Sequence, residues 1–193
     1  SSGKTYTILG LRECIAEDLF TLQDSLHIVG DRKIYISCFE IVGKKVYDLL
    51  HTNIKTGKKA IVKINEDLLG DINFKNLKEM EVDNAEDIYR VTEEALANRR
   101  TSTTYRNDAS SRSHAVIQFR IKNIKHTTVE DGYLRLIDLA GSESASDKQH
   151  HNKQLMQETQ DIHTSLSTLK SCFRSRILTV IHVGQFQAEN LVA

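Results

Sequence analysis

Three short stretches of the 193-residue chain carry side chains in combinations suited to handling phosphate. The first is Gly3-Lys4-Thr5, preceded by Ser1-Ser2, which matches the end of a GxxxxGK[ST] pattern. In that pattern backbone N–H groups at a helix N-terminus hold phosphates, the lysine neutralises the terminal ones and the hydroxyl binds Mg²⁺. Five of the eight positions are present, and the same three residues serve equally as a plain helix start. The second stretch is Asn107-Asp108-Ala109-Ser110-Ser111-Arg112-Ser113-His114. It reads either as a polar turn or, given its density of hydroxyls around one arginine, as a loop that completes Mg²⁺ coordination and orients water. The third is Leu136-Ile137-Asp138-Leu139-Ala140-Gly141-Ser142-Glu143, an apolar strand ending in an acid. A carboxylate holding a metal-bound water belongs at such a place, and Gly141 has an N–H that can approach a γ-phosphate. A strand-end acid is also a common loop start.

Positioning these stretches requires strands and helices in alternation. Leu11, Ile15, Ala16, Leu19 and Leu22 recur at helical spacing and predict a helix from about Lys4 to Gln23. Ile34 to Ile41 is β-branched and aromatic on both faces, as expected of a strand covered on both sides. Gly43 then turns the chain into Val46-Tyr47-Asp48-Leu49-Leu50, and 51–81 reads as an edge region of small strands. Asn84 with Asp87 predicts an N-cap for a helix carrying Ile88, Val91, Ala95 and Leu96, ending near Ala97. Strands follow at Ala115 to Ile121 and Tyr133 to Leu139, then a long polar helix over about Lys153 to Arg174. The result is an α/β class.

Composition narrows the function classes. Lysine plus arginine equals aspartate plus glutamate at 26 each, so no global field draws the chain to nucleic acid or an anionic membrane, and neither is an expected partner. Cys14, Cys38 and Cys172 are odd in number and widely spaced, which points away from a disulfide framework and toward a reducing cytoplasm. A GTPase would need NKxD, and Asn152-Lys153-Gln154-Leu155 has leucine in place of the acid. Ala140-Gly141-Ser142-Glu143-Ser144 does not fit GxSxG, and His150, His151 and His163 lack ordered metal-ligand spacing.

In this order, SGKTYT, NDASSRSH and LIDLAGSE resemble the P-loop end, switch I and switch II of the kinesin motor domain, a P-loop NTPase, and FEI followed by YDLL fits the same family. The resemblance covers 1–176 and implies a motor domain with a central mixed β-sheet and helices on both faces, incomplete at both ends, with 177–193 a non-matching tail; the absence of proline agrees with a missing segment. It implies a microtubule-stimulated ATPase with ATP and Mg²⁺, working on tubulin in the cytoskeleton. Lys4 would contact the β- and γ-phosphates, with Ser2, Gly3 and Tyr6 beside it in the nucleotide site. Thr5 and Ser111 would coordinate Mg²⁺, and Asp138 would hold a water of the metal. Asn107 and Ser110 would position the γ-phosphate and the attacking water, Gly141 would sense the γ-phosphate, and Arg112 would pair with Glu143 to close the switches. His114 is expected to support switch I rather than act as a base.

Lys170-Ser171-Cys172-Phe173-Arg174 resembles the segment that faces the groove between tubulin subunits in the internal-motor, microtubule-depolymerising kinesins, with Ser171 where glutamate is expected. With zero net charge, filament contact must come from a local cationic surface, for which Lys148, Lys153, Lys170 and Arg174 are the candidates. The separations of 17 and 4 residues among the last three are expected to gather them on one helix face. His163 stands where the family has asparagine, which touches the coupling of filament and nucleotide sites. The competing expectation is a truncated, inactive kinesin-like protein with at most residual microtubule binding.

Overall fold

The computed structural model describes residues 3–25, 32–53, 56–68, 70, 72–100, 112–125, 130–141 and 153–191. The chain divides into two compact units, Ser1–Gly141 and Ser142–Ala193. In the first unit, strands β1 (Arg32–Val42), β2 (Lys45–Thr52), β3 (Lys59–Glu66), β4 (Ile72–Lys75), β5 (Met80–Val82), β6 (His114–Asn123) and β7 (Gly132–Asp138) form one sheet. Its order is β4-β3-β2-β1-β6-β7, with β5 also pairing β1. The six pairings among the described residues are all antiparallel, so the parallel part of the expected mixed sheet is not represented in them.

Strand β1 organises the sheet. One edge pairs with β6 from Arg32↔Asn123 to Ile41↔His114. The other edge is shared: β2 takes Phe39 to Val42 and β5 takes Ile34 to Ile36. Residues Ile36 to Glu40 are buried in succession, as a strand covered on both sides requires. Gly43 makes the two-residue turn into β2 at φ 56°, in the left-handed region that such hairpins need at their first central position. Asp48 closes the junction between β2 and the segment entering β5. Its Oδ1 accepts the Leu50 N–H at 2.7 Å and its Oδ2 accepts the Lys78 N–H at 2.7 Å.

Helices α1 (Lys4–Ser25) and α2 (Ala85–Arg100) join this sheet. Ala16 of α1 and Ile88, Val91 and Ala95 of α2 pack with Ile34, Ile36, Cys38, Ile117, Phe119 and Leu136 in the main core. A smaller cluster of Phe39, Val46, Val62 and Val116 forms a second core. Asn84 caps α2 as expected: its Oδ1 accepts the Asp87 N–H at 2.8 Å, and the Asp87 carboxylate accepts the Asn84 amide in return. Strands toward both ends of the sheet retain exposed apolar residues, Tyr133, Leu134 and Ile137 on β7 and Ile61, Ile64 and Ile72 on β3 and β4.

The second unit contains helix α3, Lys153–Leu191. It is longer than the expected 153–174 and passes unbroken through the stretch read as a tail, where no proline interrupts the pattern. No helix of the described residues is long and apolar enough to cross a membrane.

Candidate functional site: a buried acid beside the first turn of a helix

Parts of all three chemically suggestive stretches meet in the first unit. Gly3 precedes α1 at φ 70°, a conformation that favours glycine, and its carbonyl accepts the Thr7 N–H at 3.0 Å to open the helix. This places Thr5 in the first turn. Its Oγ1 donates to Oδ2 of Asp138, the last residue of β7, at 2.8 Å. Asp138 is 4% exposed, and its Oδ1 is buried without a hydrogen-bond partner among the described residues. A buried oxygen left in that state costs about 1–3 kcal/mol, which marks it as a place for a further group.

Asp138 is also held by a residue that the motif reading passed over. Arg99, in the last turn of α2, donates from Nη1 to Asp138 Oδ2 at 2.8 Å, and both side chains are almost fully buried. The guanidinium reaches Ser113 as well, from Nη2 to its carbonyl at 2.8 Å and from Nε to its Oγ at 3.3 Å. Ser113 Oγ in turn donates to Glu40 Oε2 at 3.2 Å, and Glu40 Oε1 accepts from Lys59 Nζ. The sequence signal for Arg99 was present but ambiguous, because a cation at a helix C-terminus is explained by the helix dipole alone. Ending the helix at Ala97 also set Arg99 outside it, whereas α2 continues to Arg100.

His114 begins β6 and braces it to the segment after β7, its Nδ1 accepting the Ala140 N–H at 3.1 Å. An accepting Nδ1 leaves the proton of the neutral ring on Nε2. Burial pushes the imidazole pKa below its ordinary value, Arg99 pushes it further in the same direction, and Asp138 partly opposes them.

The donor set fits Mg²⁺. That ion takes oxygen ligands and keeps several of its waters, so it needs few protein groups. A hydroxyl at Thr5 and an unpartnered carboxylate oxygen at Asp138 are of the right kind. Among the described residues no group of three or more His, Cys, Asp or Glu offers an alternative metal site. A cavity of about 20 Å³ lies nearby, lined by Thr5, Arg99 and Asp138 together with apolar residues including Ile8, Cys38 and Leu136. It has room for about one water, not for a nucleotide.

Of the remaining candidates, Lys4 follows Gly3 in the helix, Tyr6 is exposed, Arg112 lies in the turn before β6, and Gly141 is buried after β7. Ser2, Asn107, Ser110, Ser111, Glu143 and Lys148 lie outside the described residues, and with them the expected Arg112–Glu143 pair. Lys153, Lys170 and Arg174 are all on α3, where Lys170 and Arg174 are exposed. The expectation that all three share a face is corrected by the length of the intervening helix. At about 100° per residue, Lys170 and Arg174 stand about 40° apart, but Lys153 lies about 100° round from Lys170.

The family model of the kinesin motor domain matches residues 1–179. Over 174 residues, 90% of this chain, the sequence is 40% identical to diatom spindle kinesin-1 of Cylindrotheca fusiformis. Over 179 residues it is 35% identical to the kinesin-like protein KIN-13B of Arabidopsis thaliana. The chain spans about a quarter of the length of these relatives, 26% and 25% respectively. Among solved structures it is similar to a KIF14 dimer in a two-heads-bound state with AMP-PNP in complex with a microtubule, with a TM-score of 0.71 and 30% identity. That match covers 88% of this chain and 50% of the other. The buried acid of LIDLAGSE beside the threonine of SGKTYT is thus found on a chain whose sequence and architecture both match one family, and the chain belongs to the kinesin motor domain family.

Proposed function

We propose that this chain is the phosphate-handling and filament-facing part of a Mg²⁺-dependent ATPase stimulated by microtubules, a microtubule motor or a microtubule depolymeriser, with the depolymerising kind favoured. The observation that carries the catalytic half is the Thr5–Asp138 contact with Asp138 Oδ1 unpartnered. The depolymerising half rests on the Lys170-Ser171-Cys172-Phe173-Arg174 segment, with Lys170 and Arg174 on one face of α3.

Phosphoryl transfer leaves little covalent chemistry to the protein, so the residues act by position and charge. Lys4 lies against the β- and γ-phosphates, with Ser2, Gly3 and Tyr6 beside the nucleotide. Thr5 and Ser111 would hold Mg²⁺ by their hydroxyls, and Asp138 would hold one of its waters. Bound there, the ion supplies positive charge to the β- and γ-phosphate oxygens. Asn107 and Ser110 orient the water that attacks the γ-phosphorus as the bond to ADP breaks, giving ADP and phosphate. Gly141 meets the γ-phosphate through its N–H, and Arg112 closes on Glu143 as the water is ordered. Lys170 and Arg174 face acidic tubulin, with Lys148 and Lys153 as further cationic candidates. The protein accordingly works at cytoplasmic microtubules.

The test is ATP turnover of the full-length protein with and without microtubules. Turnover should rise with added filaments, and stabilised microtubules should shorten. Lys170→Glu with Arg174→Glu should reduce the stimulation at least about tenfold at low salt, where surface charge counts most, and leave basal turnover within about twofold. Unchanged co-sedimentation of the double variant would place the filament contact elsewhere.

A further inference from the structure

The buried network does not stop at Asp138. It runs across the sheet to an ion pair whose two members lie in none of the phosphate-handling motifs. Glu40 of β1 and Lys59 of β3 are 4% and 6% exposed in their side chains. Burying such a pair costs desolvation of both charges, and the interior offers cheaper ways to fill the same space. The pair is joined to the site by hydrogen bonds whose polarity is fixed along the whole path. Glu40 can only accept, so the Ser113 hydroxyl gives it its proton, and the Ser113 oxygen is left to accept the Arg99 Nε–H. Arg99 is thereby turned so that Nη1 meets Asp138 Oδ2, the oxygen that Thr5 also holds.

We infer that Glu40 and Lys59 are positioning residues for the nucleotide site, acting through Ser113 and Arg99 to set the orientation of the Asp138 carboxylate. The consequence is directional. With Asp138 Oδ2 fixed by Arg99 and Thr5, Oδ1 is the oxygen left to face a metal-bound water. A neutral amide at position 40 can present an N–H to Ser113. The hydroxyl proton is then forced round toward Arg99 Nε–H, and the path loses its polarity. Lys59 is needed because it engages Oε1 of Glu40, leaving Oε2 for Ser113. This inference rests on the ATPase reading for its kinetic consequence but not for its structural one.

The experiment therefore has two readouts on the same variants, Glu40→Gln, Lys59→Met and the conservative Lys59→Arg. The first is hydrogen exchange of the Arg99 Nε–H by NMR in the nucleotide-free protein. The signal should be protected in the wild type and in Lys59→Arg, and exchange at least about tenfold faster in Glu40→Gln and Lys59→Met. The second is steady-state turnover of the full-length protein, in which kcat should fall about tenfold in Glu40→Gln and Lys59→Met while KM for ATP stays within about twofold, and Lys59→Arg should restore kcat. Protection retained in Glu40→Gln would overturn the relay, whatever the kinetics. Equal losses in Lys59→Arg and Lys59→Met would also overturn it, since a positioning cation is replaceable by another. A wild type without Mg²⁺-ATPase activity would remove the ATPase reading, and the exchange measurement would still decide the relay.

Discussion

Asp48 and Asp138 are both buried acids of a kinesin sheet, found in the similar strings YDLL and IDLA, and they are satisfied in opposite ways. Asp48 spends both oxygens on backbone N–H groups, those of Leu50 and Lys78, and so ties β2 to the segment entering β5. Asp138 gathers a hydroxyl and a guanidinium on Oδ2 and leaves Oδ1 without a partner among the described residues. Desolvation raises the Asp48 carboxyl above the usual carboxylate range, with its backbone donors working against that rise. Burial alone therefore does not identify a working acid. What distinguishes the two is the oxygen left over: the Asp48 carboxylate is consumed by the fold, and that of Asp138 keeps one oxygen without a partner among the described residues.

The largest test of this contrast is Asp138→Asn in the full-length protein, which should lower ATP turnover per folded molecule at least about 100-fold, equivalent to about 2.7 kcal/mol of barrier. A loss below about tenfold would make Asp138 a second structural acid. Asp48→Ala should do the reverse. Chemical denaturation should show about 2–4 kcal/mol less stability, because one buried and one part-buried N–H lose a charged acceptor, and turnover of the folded fraction should stay within about twofold. Arg112→Ala sharpens the comparison on the side of Asp138: kcat should fall about tenfold more than ATP affinity if Arg112 engages Glu143 only on the way to hydrolysis. Equal losses in both would reduce that contact to a structural ion pair.

The smallest effect concerns pH. His114 binds its proton less readily folded than unfolded, so its contribution to stability is present above the ordinary imidazole value of 6.5 and is lost as pH falls through that value toward the folded one. Asp48 has the opposite sign. Its raised carboxyl takes a proton more readily folded, so its contribution grows as pH falls through the folded value toward the ordinary 3.8. Denaturation midpoints between about pH 7 and 5 should therefore decline in the wild type and decline less in His114→Gln. An identical slope in the variant would remove His114 from the account.

The legible part of the sequence was local. Gly3-Lys4-Thr5 at a helix start, the strand-end Asp138, the Gly43 turn and the Asn84–Asp87 cap each depend on residues within a few positions of one another, and the structure bears out each as a local feature. The relay was not legible because its members are brought together by strand pairing. Lys59 meets Glu40 only through the order β3-β2-β1, and it lies in the stretch 51–81, where no pattern fixed a register. Arg99 looked like a residue past a helix end, and Asp48 like one more letter of a strand. The grouping of Lys153 with Lys170 failed for a different reason, since 17 residues is not close to a whole number of helical turns.

Asp138 Oδ1 and Thr5 together are the proposed place for hydrated Mg²⁺. Calorimetric titration of ADP into nucleotide-free full-length protein, with and without Mg²⁺, measures this most directly. In the wild type Mg²⁺ should tighten ADP binding at least about tenfold, and in Asp138→Asn that difference should shrink to within about twofold. The same tightening in both proteins would contradict the account.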